Sequence, residues 1–306
     1  MITKSVVFLL GAGASHRYGY PTGAQLMSRL TGVNGDQMIE LEQSGIGQDD
    51  VWKFNKRLKD CGLNSVDAFL KKNPTFGKVA KMRIAQELSA AEFSAARGVG
   101  RDETWIQYLF SRFMDGDSLD AFRGNQCAFV TLNYDRCLEF ELTRMLSNAY
   151  GAPWKDAATS VGTIKTIHLH GSIGGLPEME ELYGMTFGPG EVAKAAQGIL
   201  TLGEAGSEKE YEAARVCLGS AEVIFCLGFG FHDEIIENLG LRNGSPVVPV
   251  HGTCQGLTQS EVNRVTQQFR PRSFTELHRD GVTWNHKPRA PGPAADYLRA
   301  NVELLN

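Results

Sequence analysis

Residues 6–15 read Val-Val-Phe-Leu-Leu-Gly-Ala-Gly-Ala-Ser, five consecutive apolar residues running into two glycines. A strand that is apolar at every position is buried on both faces, the situation of a parallel sheet covered by helices. Gly11 and Gly13 lack Cβ atoms, so the turn can take a positive φ and let backbone or ligand approach closely. A helix starting behind them would aim unpaired N–H groups and its positive dipole end at an anion. Two further apolar strands each end on a polar cluster, Thr131-Leu132-Asn133-Tyr134-Asp135 and His168-Leu169-His170-Gly171-Ser172. Ligands of open α/β sheets bind beyond the carboxyl ends of the strands. Three clusters far apart in sequence are therefore expected to converge on one crevice.

The glycine turn is not the full dinucleotide fingerprint, because His16 stands where a third glycine belongs, and without Gly-Lys-Ser/Thr it is no triphosphate P-loop. On its own it reads equally as a nucleotide site or as a tight strand–helix turn.

The 306 residues suffice for one large α/β domain with a subdomain. A net charge of −4 argues against a dominant nucleic-acid footprint. The six cysteines include no Cys-x-x-Cys pair, which disfavours a zinc ribbon and a dense disulfide framework and suits reduced thiols in a cytoplasm. Val6–Leu10 is too short for a secretory core, and no segment reaches the roughly 18 apolar residues of a membrane helix. The chain is expected to be soluble.

Thr22 is placed to cap a helix carrying Leu26, Met27 and Leu30. From 35 to 122 the pattern is helical: Val51, Phe54 and Leu58 share a face, Ser65 caps a short turn before Phe69 and Leu70, and a long segment runs from Gly77 to Ala96. This block reads as a helical insertion into an α/β domain spanning 1–306. Strands are expected at 127–132, 163–169, 223–227 and 246–250. Helices are expected after 132, near 190–200, 207–219, 259–269 and 293–304, with Pro288–Pro293 as a surface connection. The alternation implies a Rossmann-like, doubly wound parallel sheet.

Asn133 and Asp135 suit a ribose hydroxyl, an attacking water or an amide, but taken alone the cluster reads first as helix capping. His168 and His170 share a face if the strand continues that far, but no Glu-x-x-His or Cys/His set accompanies them to hold a metal. His170, beside the permissive Gly171-Ser172, is the better general-base candidate, while His168 reads as structural. Leu227-Gly228-Phe229-Gly230-Phe231-His232-Asp233 repeats the strand–glycine pattern. Gly228 and Gly230 suit close approach of an adenosine, with Phe229 or Phe231 flanking the base. The plainer reading is another strand–helix turn, capped by Asp233. A Ser-His-Asp hydrolase is not indicated, since there is no Gly-x-Ser-x-Gly elbow.

In this order and on these elements the clusters resemble the sirtuin superfamily: Gly11-Ala12-Gly13-Ala14-Ser15, Gly19-Tyr20-Pro21, Asn133-x-Asp135 and His170-Gly171, with the weaker Ser65-Val66-Asp67-Ala68-Phe69-Leu70. The resemblance covers roughly two-thirds of the chain. Protein-deacylating sirtuins carry a four-cysteine zinc module, an Asp-Phe-Arg segment and a Gln before the Asn. This chain has no such cysteine spacing, Thr22-Gly23-Ala24 and Leu132. It looks instead like the sirtuin-like NAD⁺ hydrolases of bacterial anti-phage systems. The resemblance implies cleavage of the nicotinamide–ribose bond of NAD⁺, releasing nicotinamide and ADP-ribose or a cyclised form, without a metal. It implies Asn133 positioning ribose or water, His170 as base and Asp135 on the carboxamide. Gly11, Ala12, Gly13, Ser15, Thr22, Ser172, Gly228 and Phe229 would line the cofactor. It further implies gating by homo-oligomer assembly, or by a partner such as a nucleic-acid-guided protein or a DNA-translocating ATPase. The alternatives are a non-catalytic module that senses NAD⁺ or ADP-ribose, and a sirtuin-type ADP-ribosyl or acyl transferase.

Overall fold

The apolar run Val6–Leu10 forms the central strand β1, with all five residues buried. A computed structural model describes residues 2–63, 65–96, 104–114, 119–176, 189–201, 204–241, 248–253, 257–268, 293–300 and 302–305. β2 (Cys127–Thr131), β3 (Lys165–His168), β4 (Val223–Leu227) and β5 (Val250–Gly252) complete a five-stranded sheet in the order β3-β2-β1-β4-β5. Every pairing is parallel. The register is level: Leu10 lies opposite Thr131 on one side and Leu227 on the other, and Thr131 lies opposite His168. Four strands thus end in one row. The chain builds outward from β1 in both directions, so its order reverses between β1 and β4, the switch point at which doubly wound sheets open a crevice.

Alternation along β1 sends Val6, Phe8 and Leu10 into one apolar cluster and Val7 and Leu9 into the other. On the first face Phe8 stacks between Phe129 and Phe225, with centroids 5.2 and 5.7 Å away. The expected helical block lies on this face. Its helices are α3 (Gly35–Gln43), α4 (Gln48–Asp60), α5 (Val66–Lys72), α6 (Gly77–Ala96), α7 (Trp105–Phe113) and α8 (Leu119–Arg123). They follow α1 (Ala12–Ser15) and α2 (Gly23–Leu30), and the block holds no strand among the described residues. Its apolar residues, Phe54, Phe69, Ile84 and Leu109 among them, join the same core as the sheet face. α9 (Cys137–Tyr150) and α10 (Trp154–Val161) return the chain to β3. α11 (Pro189–Gln197) and α12 (Ala205–Gly219) lead to β4, and α13 (Asp233–Asn238) follows it. The second cluster packs α12 and α13 on the other face. α14 (Gln259–Gln268) and α15 (Pro293–Ala300) close the chain.

Several local expectations meet the structure directly. Thr22 and Gln25 form a reciprocal capping box on α2, and the Ser65 hydroxyl accepts from Ala68 N–H to cap α5. Others are corrected. The last strand begins at Val250, not 246: Pro249 has no N–H for the ladder and contributes only its carbonyl, which accepts from Ile224. Pro246 and Val247 lie outside the described residues, as does most of the expected connection 288–293. Asp233 does not cap α13; His232 occupies that position without a side-chain bond, and Asp233 pairs with Arg264 at 3.1 Å. No helix among the described residues is long and apolar enough to cross a membrane.

Candidate active site

The glycine turn and the β4 turn meet backbone to backbone. Gly11 N–H donates to the Leu227 carbonyl at 3.0 Å and Gly13 N–H to the Gly228 carbonyl at 3.2 Å. A Cβ on Gly11 would lie 2.4 Å from the Gly228 carbonyl oxygen, and one on Gly228, whose φ is +58°, would lie 2.1 Å from Ala14 N. Close packing of two turns at the switch point thus requires both glycines. Ala12 N–H, at the first position of α1, has no backbone acceptor among the described residues.

Past the end of β2 the chain brings Asn133 and Asp135 against this turn. Asn133 Nδ2 donates to the Gly11 carbonyl at 3.2 Å and to Ser15 Oγ at 3.1 Å, and the Ser15 hydroxyl donates to Asp135 Oδ1 at 2.9 Å. Asp135 Oδ1 also accepts from Cys137 N–H at 3.1 Å, so it serves the start of α9 in the capping manner while holding Ser15. Asn133 and Asp135 are 7% and 8% exposed. Burial lifts the Asp135 carboxyl to about 6, although the bonds from Cys137 and Ser15 favour its ionised form. Beneath these groups lies a cavity of about 10 Å³, lined among others by Ser15, Thr131, Asn133, Asp135, Glu139 and His168. That volume holds about one water.

β3 stops at His168, so the two histidines do not share a strand face. The His168 ring is clamped, with Nδ1 2.9 Å from the Asn133 carbonyl and Nε2 2.8 Å from Glu139 Oε1. Burial opposes its charge, but Glu139 outweighs that and raises its pKa to about 9. His170, 1% exposed, turns to other partners. Its Nδ1 is 3.1 Å from Asp67 Oδ1, an ion-pair contact lying off the axis of a well-formed hydrogen bond, and its Nε2 is 3.5 Å from the Tyr211 hydroxyl. The rings of Tyr134 and Tyr211 meet the imidazole edge to face at 5.8 and 6.2 Å. Tyr134 O–H donates to Asp67 Oδ1 at 2.5 Å. Burial opposes charge on both members of the pair, yet their mutual attraction prevails, holding His170 above the usual imidazole pKa and Asp67 below the usual carboxyl value.

The other expected residues fall into two sets. Gly171, at φ +66°, is required by packing, since a Cβ there would lie 2.1 Å from the Gly198 carbonyl oxygen. Ser172 follows it, its N–H donating to that carbonyl at 3.1 Å and its hydroxyl accepting from Gly174. Thr22 is engaged as a cap. Gly228 stands over the Gly11 turn, whereas Phe229 and Phe231 are buried in the apolar cluster of the second face, against each other at 5.0 Å. Asp67 and Tyr134 carry a signal in the sequence only as members of the Ser65–Leu70 segment and of the Thr131–Asp135 cluster, and Tyr211 carries none. Among the described residues no group of three or more His, Cys, Asp or Glu side chains could hold a metal ion. The chain matches no family model and no curated protein sequence.

Proposed function

We propose that this chain is an NAD⁺ glycohydrolase that cleaves the nicotinamide–ribose bond, with Asn133 and His170 as its central residues. One observation carries the reading. The level strand ends put Asn133 in hydrogen-bond contact with the Gly11–Ser15 turn, at the switch point of a doubly wound sheet, with His170 at the end of the next strand. A dinucleotide lying across such a switch point places its diphosphate against the turn after the first strand. Nicotinamide leaves as a neutral base from a cationic pyridinium, so expulsion needs no strong acid. What the protein must supply is a base for a ribose hydroxyl or water, and polar groups on the ribose. His170 Nε2 is the nitrogen turned away from Asp67 and serves as the base. The Asn133 amide serves the ribose or water, Asp135 the carboxamide, and Ala12 N–H with Ser15 the diphosphate side.

The resemblance carries a gated enzyme, resting until self-assembly or a partner activates it, in keeping with an NAD⁺-depleting effector of anti-phage defence in the cytoplasm. A DNA-translocating ATPase or a nucleic-acid-guided protein is the partner class carried by the resemblance. The test is to incubate purified protein with NAD⁺ across a dilution series and resolve the products by chromatography. Nicotinamide and linear or cyclic ADP-ribose are expected, with turnover per chain rising with concentration. His170→Ala should lower turnover by about 10²–10⁴-fold with an unchanged circular dichroism spectrum. A folded His170→Ala variant with normal turnover removes His170 from the chemistry. The hydrogen bonds of Asn133 Nδ2 and Asp135 Oδ1 to protein partners, with the burial of His170, favour a second reading, a module that senses NAD⁺ or ADP-ribose. Calorimetric binding without any product would select it.

A further inference from the structure

We propose that Asp67, carried by α5 of the helical block, is the positioning residue of His170, fixing which imidazole nitrogen carries the proton. The catalytic consequence rests on the hydrolase reading above; the pairing itself does not. An acidic residue in the first turn of a helix ordinarily needs no explanation beyond the helix dipole. Asp67 is different because its carboxylate turns inward, onto two side chains from other elements. Tyr134 O–H donates to Oδ1 at 2.5 Å, and the same oxygen lies 3.1 Å from His170 Nδ1. Burial keeps the Tyr134 phenol protonated, so it remains a donor and fixes the carboxylate in place. The imidazole is held from its sides by the rings of Tyr134 and Tyr211. A carboxylate at Nδ1 selects the tautomer that carries its proton there and leaves Nε2 to accept one, and it stabilises the imidazolium that results.

Among the described residues, no other unpaired acid near the two tyrosines can substitute for it. The acids near Tyr134 and Tyr211 are Glu204, Glu208 and Glu234. Each already faces a cation: Glu204 bonds Lys81 at 2.7 Å, Glu208 bonds Arg215 at 3.0 Å, and Glu234 pairs with Lys71. Tyr134 follows β2, Tyr211 lies on α12, and both present hydroxyl groups to the cluster. Among the described residues, Asp67 is thus the one carboxylate paired with the ring. Its removal would leave His170 buried and without its counter-charge, which lowers an imidazole pKa.

The experiment follows His170 directly. In full-length protein labelled at histidine, the His170 resonance is assigned by its loss in His170→Ala and titrated from pH 5 to 10, alongside NAD⁺ turnover. The wild-type midpoint is expected above the ordinary value of about 6.5. In Asp67→Asn it should fall by at least about one unit, a tenfold change in proton affinity, and Asp67→Glu should restore part of the shift. Turnover should rise with pH through the same midpoint, and Asp67→Asn should lower kcat by about 10²-fold with little change in KM. A folded Asp67→Asn protein whose His170 midpoint is unmoved overturns the proposal. If that variant does not fold, a wild-type midpoint at or below 6.5 overturns it equally, because burial alone pushes the midpoint that way. If wild type binds NAD⁺ without cleaving it, the hydrolase reading falls, while the titration still decides the pairing.

Discussion

The corner around Asn133 is closed by partners from neighbouring strand ends, whereas the corner around His170 is completed by a helix inserted between β1 and β2. Asn133 and Asp135 take Gly11, Ser15 and Cys137, all on or next to the loops that leave β1 and β2. His170 takes Asp67 from α5 and Tyr211 from α12. The first corner forms as soon as the sheet pairs in register. The second also needs the helical block docked on the sheet, so it reports on the relation between the two. A gate acting on the docking of the block would be felt at His170 before it was felt at Asn133.

The largest expected effects test how rigidly each corner is framed. Gly228→Ala would thrust a Cβ to 2.1 Å from Ala14 N, and Gly171→Ala to 2.1 Å from the Gly198 carbonyl oxygen, both at positive φ. Each should cost at least about 3 kcal/mol, because backbone on both sides has to move. Gly151→Ala is the matched control: its φ is +61° but nothing lies within 4 Å of the added atom. Strain alone should then cost about 1–2 kcal/mol. Denaturant titration separates the cases. Equal losses at all three positions would mean that the turns yield and the corners are not rigidly framed.

Each corner holds one carboxylate, and the two have opposite pKa directions. Asp135 is raised, to about 6, chiefly by burial. Its native state is therefore favoured by protonation, and stability is lost as pH rises from about 4 to about 6. Over that window wild type should lose on the order of 3 kcal/mol relative to Asp135→Asn. Asp67 is lowered despite burial, because His170 outweighs it. Its contribution is present above the ordinary carboxyl pKa and lost as pH falls through the lower folded value, so wild type should gain on Asp67→Asn as pH rises from acid. Stability curves of the two variants sloping in the same direction between pH 3 and 6 would break the contrast.

The two corners were also unequally legible in the sequence. β1, β2 and β4 are apolar runs ending at glycine or a polar cluster, and burial on both faces is what such runs mean; their parallel order followed from the helices between them. Asn133 and Asp135 were legible because they directly follow a strand, and strand ends of a level sheet must meet. β5 begins later than the run Val247-Val248 suggests, because Pro249 has no N–H to give the ladder. Asp67 was visible only as part of Ser65–Leu70, where a first-turn acid is explained by helix capping alone. Nothing local in the chain says that its carboxylate faces His170, because that contact depends on how the block docks on the sheet. His168 and His170, two residues apart, looked like a pair; the end of β3 between them sends one ring to Glu139 and the other to Asp67.

The smallest expected effect separates those two histidines. His168 joins the Asn133 carbonyl to Glu139, and burial, opposing its charge, is outweighed by Glu139 so that the pKa rises to about 9. A raised histidine stabilises the fold fully below its unfolded pKa of about 6.5 and ceases to do so above its folded one. His168→Gln keeps polar atoms near both partners but removes the charge. It should cost on the order of 2 kcal/mol at pH 6, after allowance for partial solvent screening. That deficit should shrink through pH 7–9 and be nearly gone by about pH 10. Under the proposed NAD⁺ cleavage, turnover measured well below the unfolding midpoint should change far less than in His170→Ala, since the contacts of His168 are to the Asn133 carbonyl and Glu139. A deficit that does not vary with pH would reduce His168 to packing. A loss of turnover equal to that of His170→Ala would place both rings in the chemistry and erase the distinction between the corners.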